Sequence, residues 1–149
     1  MSRIILLLNI IVLSICWMGA TSCSEKPGNL NKVSVLLMQQ IELRKQQIEA
    51  PSAERLKHMK DMGMILDDLQ IQRIFVYIKE LLTPAQEQEL TEMGIRVHQD
   101  SWVPRMGDEP YGFFIAEMPI NKLELLAIKE YVIMLDTAES RVPLCKPGD

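Results

Sequence analysis

The chain has little of what catalytic and metal centres are usually made from: two His, three Cys and only 5% aromatic residues in 149 positions. His58 and His98 stand far apart, with no ligand spacing between them, and read as surface residues. Cys16, Cys23 and Cys145 form no paired framework or CxxC pattern, so nothing in the cysteine count suggests redox or zinc chemistry. No excess of positive charge is present, with 16 Lys and Arg against 20 Asp and Glu. A net charge of −4 leaves no electrostatic footprint for nucleic acid, which clustered Lys and Arg normally provide. The motifs of subtilases, lipases and metalloproteases are missing, and Gly107–Gly112 lacks the Lys a phosphate-binding loop requires. The chain is too short for a full-sized protease, a two-domain dehydrogenase or a kinase, and no enzyme is expected. At 48% apolar and 24% charged residues, the composition is that of one ordinary globular domain.

What the sequence does have is an address at its start. Arg3 precedes the apolar run Ile4–Met18, and small residues follow at Gly19–Ala20–Thr21–Ser22. This layout describes a secretory signal peptide over residues 1–22, and the run is short for a transmembrane helix, which needs about 20 apolar residues. Ala20–Thr21–Ser22–Cys23 resembles the bacterial lipobox, although Ala20 replaces the usual Leu. The resemblance implies lipidation of Cys23 and attachment to the cell-envelope membrane, the outer membrane in a Gram-negative cell given Ser24. Ordinary cleavage after Ser22 without a lipid, or an uncleaved anchor, are the alternatives.

Residues 23–31, with Pro27 and Gly28, read as a tether reaching at most about 25–30 Å. A helical lead-in follows over residues 32–70. Val33, Leu36, Leu37, Ile41 and Ile48 form one apolar stripe with Gln, Lys, Arg and Glu opposite, and Pro51 ends the helix. A second helix over 52–62 carries Leu56 and Met59 on one side and is capped by Gly63. Strands are expected at 73–79, 95–99, 111–118 and 131–135. A helix opens at the capping box Thr83–Gln86 and another at Asn121–Glu124, running through Glu130. The order strand, helix, strand, strand, helix, strand over residues 71–140 predicts an α+β fold. It is a ferredoxin-like βαββαβ sandwich, with a four-stranded antiparallel sheet and both helices on one face. Residues 141–149 are left as a tail.

Four stretches within residues 73–139 carry a more specific likeness: RIFVYIK, LTPAQEQEL with TEMGI, IAEMPINKLELLAIKEYV, and IMLDTAE. Together they resemble the propeptide domain of subtilisin-type proteases and its free-standing inhibitor relatives. That resemblance implies a protein-binding module, an inhibitor or folding assistant whose open sheet face docks on the protease. If Ile74, Val76 and Ile78 point to the helices, then Phe75, Tyr77, Phe113 and Ile115 form the docking face. The resemblance also implies that Arg141, Val142, Pro143 and Leu144 lie along the substrate cleft, with Leu144 at the specificity pocket. The chain departs from the pattern in continuing past Leu144. The apolar stripe of the lead-in helix also needs a burial site, and the reading adopted is that residues 32–62 cover the docking face. With that face covered, the alternative function is a structural or adaptor lipoprotein without inhibitory action, beside the leading expectation of an inhibitor or folding assistant.

Two other features stand out. His58–Met64 has thioether spacing suited to Cu(I), while the same methionines also suit filling irregular gaps between lead-in helices and sheet. Trp102, in the loop before Tyr111, is a candidate binding hot spot or a loop anchor. No cofactor is expected.

Overall fold

Strict alternation along Ile71–Ile78 (β1) organises the molecule, which a computed structural model describes over residues 30–139. Successive side chains of a strand point to opposite faces, so Ile74, Val76 and Ile78 are buried while Arg73, Phe75 and Tyr77 are half-buried on the other side. β1 lies at the centre of a four-stranded antiparallel sheet. On one side it pairs with Gly112–Pro119 (β3), in register from Ile71 opposite Pro119 to Ile78 opposite Gly112. On the other side it pairs with Val132–Thr137 (β4). A two-residue strand, Arg96–Val97 (β2), pairs with the outer edge of β3, giving the order β2-β3-β1-β4. The architecture is α+β, the sheet being accompanied by four α-helices among the described residues.

The helices are Val35–Glu49 (α1), Ala53–Asp61 (α2), Pro84–Glu92 (α3) and Leu123–Ala127 (α4). Ser34, Ser52 and Thr83 each accept a hydrogen bond from a backbone N–H of the first turn, and Thr83 forms the expected box with Gln86. The box expected at Asn121 does not form. The chain enters α4 through a 3-10 turn at Ile120–Lys122, so Asn121 lies inside that turn, and Lys122 at the N-cap makes no side-chain cap. That turn is pinned by the Ile120 N–H donating to the Gln70 carbonyl, and α4 begins only at Leu123 and ends at Ala127, short of the expected Glu130. β2 is also shorter than expected. After Val97 the chain turns through Gln99–Ser101, the Ser101 hydroxyl takes over the Ile115 N–H at 2.8 Å, and pairing resumes only at Val103 opposite Phe113.

One core holds the inward sides together. Ile74, Val76, Phe114, Ala116 and Leu135 of the sheet meet Leu90 of α3 and Leu126 of α4 in a single cluster. Leu37 and Ile41 of α1 belong to the same cluster. The lead-in therefore does not cover the aromatic side of the sheet, contrary to the sequence expectation. Instead α1 joins the helix layer beside β4, where Val33 bridges Leu135 and the Ser34 N–H donates to the Leu135 carbonyl at 2.9 Å. The physical reason is that the groove beside β4 offers burial to α1 and also unpaired edge carbonyls to the segment that leads into it. α2 packs on α1 through the fully buried Met59.

The stripe of α1 also differs in composition. Its buried positions are Leu37, Gln40, Ile41, Arg44 and Gln47, while Leu36 and Ile48 are 38% and 42% exposed. In α2, Leu56 is likewise 40% exposed. Polar residues point inward because the core ends in a hydrogen-bonded network. Arg44, fully buried, donates to Glu139 Oε2 at 2.6 Å, Gln72 Oε1 at 2.8 Å, and the carbonyls of Ile65 at 2.8 Å and Asp68 at 3.1 Å. Glu139 accepts in addition from the N–H groups of Ile65 at 2.9 Å and Arg73 at 2.8 Å. Gln40 donates to the Glu139 carbonyl at 2.6 Å and accepts from Gln72 and Thr137. A buried charge is tolerated only when paired and hydrogen-bonded, and this network meets that requirement from four segments of the chain.

Removing one member of a buried pair leaves the other uncompensated. Arg44→Met is expected to cost about 3–5 kcal/mol in urea unfolding, and Glu139→Gln a comparable loss. Arg44→Met/Glu139→Gln should cost clearly less than the two summed, as contacting residues do. A cost for Arg44→Met below about 1 kcal/mol, the size of an exposed pair, would contradict the network's role.

Candidate protein-binding face

The side of the sheet turned away from the helices carries an aromatic patch. Register places Tyr77 opposite Phe113 and Phe75 opposite Ile115, all four half-buried. Tyr111, which precedes β3, continues the two-residue period of Phe113 and Ile115 and joins them. The Phe75 and Phe113 rings meet edge-on at 5.3 Å and 82°, and Tyr77 and Tyr111 at 5.5 Å and 83°. Phe113 also lies 5.6 Å from Tyr77. Edge-to-face pairs at such distances contribute about 0.5–1.5 kcal/mol beyond their buried area. With three Phe, three Tyr and two Trp in the chain, four aromatic rings share one face. That concentration makes the face the candidate interaction surface.

The patch has polar borders. Glu117, opposite Arg73 and Arg96 in the register, accepts from Arg73 at 3.4 Å and Arg96 at 3.0 Å, and stands 3.3 Å from His98 Nε2. One carboxylate thus gathers Arg73, Arg96 and His98 at this border. At the opposite side Met134 and Asp136 of β4 lie beside Tyr77 and Phe75. Asp136 accepts the Ser34 hydroxyl and so ties the β4 edge to the start of α1. Trp102 packs against the core, where its ring and the Val103 carbonyl approach Gly112 so closely that an added Cβ would lie 2.6 and 2.5 Å away. Trp102 is therefore an anchor of the 101–111 loop, and Gly112 is needed for the close approach.

Of the residues read from the sequence as partner-binding, Phe75, Tyr77, Phe113 and Ile115 stand together on this face. Cys23 and the tail residues Arg141, Val142, Pro143 and Leu144 lie outside the described residues. Within those residues no helix is long and apolar enough to cross a membrane, and no three His, Cys, Asp or Glu come together as metal ligands. Sequence reasoning passed over Tyr111, though the spacing 111, 113, 115 signals it. It passed over the Arg73–Glu117–Arg96 border too, which depends on register and is not visible locally. No family model, curated protein or solved structure matches the chain.

Two phenols are held in their neutral form. Burial raises Tyr77 above the ordinary value of 10, helped by the charge of Asp136 and by Tyr111 and Glu109. Burial raises Tyr131 more strongly, with the Glu89 carboxylate that its hydroxyl reaches at 3.1 Å adding to the shift. Glu89 is held below the usual carboxylate range by its hydrogen bond from Lys129. A raised phenol contributes stability that is complete below pH 10 and lost as pH climbs through the folded value, whereas the Glu89 contribution is lost on acidification. Ultraviolet titration should show both Tyr77 and Tyr131 ionising above the free phenol, with Tyr77→Phe and Tyr131→Phe each removing one delayed component. Variants that remove amplitude only at the ordinary phenol value would contradict the burial of these rings.

Proposed function

We propose that the chain is a membrane-tethered, exported, non-enzymatic protein-binding module that docks through the aromatic side of its sheet. In its most concrete form it is an inhibitor or folding assistant of a subtilisin-type protease. The observation that carries this reading is the four-ring patch of Phe75, Tyr77, Tyr111 and Phe113, left half-buried because α1 packs on the helix side. The module is a ferredoxin-like sandwich in this reading, supported by the strand order β2-β3-β1-β4 with every pair antiparallel. Such sandwiches host many functions, so the reading rests on the patch and on the likeness of residues 73–139 to subtilisin propeptides, with the fold as context. Glu139, fixed by Arg44 and two backbone N–H groups, gives the tail a firm point of departure beside the start of β1. Occupation of the protease cleft by Arg141, Val142, Pro143 and Leu144 rests on the likeness to subtilisin propeptides, since these residues lie outside the described ones.

Incubating residues 24–149 with subtilisin-type proteases should give slow, tight inhibition. Phe113→Ser, which removes the ring touching both Phe75 and Tyr77, should weaken it at least about tenfold, the size of a binding hot spot. Deleting residues 141–149 should abolish it. Absence of inhibition at micromolar concentration would remove the protease version and favour an adaptor role for the same face.

Anchoring is tested separately. Mass spectrometry of the N-terminal peptide from the envelope fraction should find Cys23 as the acylated first residue. An unmodified Cys23 would overturn the lipid tether.

A further inference from the structure

The run His58–Met64 is divided by the end of α2. Gly63 adopts φ +82°, and the N–H groups of Gly63 and Met64 donate to the carbonyls of Lys60 and Met59. This is a Schellman ending, which brings the residue after the glycine back over the last full turn. Met59 and Met64 are accordingly both buried, and their thioethers are packing groups. His58 and Met62 have a different fate. His58, in the last turn of α2, and Met62, its C-cap four residues on, line the groove between α2 and α1. Met38 of α1 lines the same groove, with Val35 and Leu43 as apolar walls and Glu42 at its side.

Two thioethers and one imidazole therefore line one groove, with His58 and Met62 lying twenty and twenty-four positions after Met38 in sequence. Thioether sulfur is a soft, neutral ligand that selects Cu(I) over the divalent ions, and imidazole is compatible with copper. Zinc instead asks for Cys, His or carboxylate ligands, and among the described residues no such group of three exists. Three rotatable bonds let each methionine swing its sulfur onto an ion without moving its helix. Glu42 supplies a negative charge for a monovalent cation, and Val35 and Leu43 add apolar surface to the groove. We propose that Met38, His58 and Met62 form a binding site for a soft monovalent cation, Cu(I) or its redox-inert analogue Ag(I). The site is independent of the aromatic face and of any protease.

The test uses the full chain in detergent, with Cys16, Cys23 and Cys145 alkylated so that thiols cannot compete. Ag(I) is titrated while methionine methyl and histidine ring signals are followed by NMR. One equivalent should shift Met38, Met62 and His58 together and saturate. Met59 and Met64 should stay unmoved, and so should Met106, which at 68% exposure reports non-specific binding. In competition with a colorimetric Cu(I) chelator, Met38→Leu, Met62→Leu and His58→Gln should each weaken binding at least tenfold. Met→Leu conserves core volume, so circular dichroism should be unchanged. Shifts that scatter over all thioethers, an absence of saturation, or Met38→Leu retaining full affinity would each overturn the site.

Discussion

The guanidinium of Arg44, with no exposed surface, has to find hydrogen-bond partners inside the protein, and the rest of the architecture is arranged around how it does so. Its partners come from Ile65 and Asp68 after α2, from Gln72 in β1 and from Glu139 after β4. No two of these segments are brought together by sheet pairing alone, except β1 with β4. The ion pair is thus the fastener between the lead-in and the sheet, and it closes the end of the core that the apolar residues of α1 leave unfinished. Replacing such a pair with apolar residues of equal volume is often no worse for stability. Its value here is geometric, since Leu37 and Ile41 alone would leave the position of α1 along the sheet less closely defined.

The free side of the sheet follows from the same constraint. Because the network draws α1 to the β4 side of the helix layer, nothing in residues 30–139 is required to lie over Phe75, Tyr77 and Phe113. The sheet edges are treated differently. β4 receives Val33 and Ser34, and β3 receives a strand broken by the Gln99–Ser101 turn and by a hydroxyl in place of a backbone group. Interrupted edges of this kind discourage pairing with another chain.

Much of the fold was legible from local chemistry. The β-branched and aromatic run read as a strand over 73–79 and found at Ile71–Ile78, the Thr83–Gln86 capping box and the glycine ending at Gly63 each act within a few residues. The outward row Phe75, Tyr77, Phe113 and Ile115 was also readable, because period two needs only the strand itself. The inward face of α1 was misread for an equally physical reason. Positions 37, 40, 41, 44 and 47 have helical spacing, but Gln40, Arg44 and Gln47 look like solvent-side residues until Gln72 and Glu139 are placed beside them. The Asn121 cap failed because the Gln70 carbonyl, fifty positions earlier, holds the preceding turn.

By itself, then, the sequence determined which segments are strands and helices and which residues of each strand face the same way. Those outcomes depend on backbone sterics, capping and periodicity, all acting at short range. Tertiary structure alone decided where the lead-in docks, which polar side chains are interior, and that Met38 meets His58 and Met62 in one groove. Burial of a charge or convergence of ligands is a property of pairs distant in the chain, and no local pattern encodes a partner that only folding brings within reach.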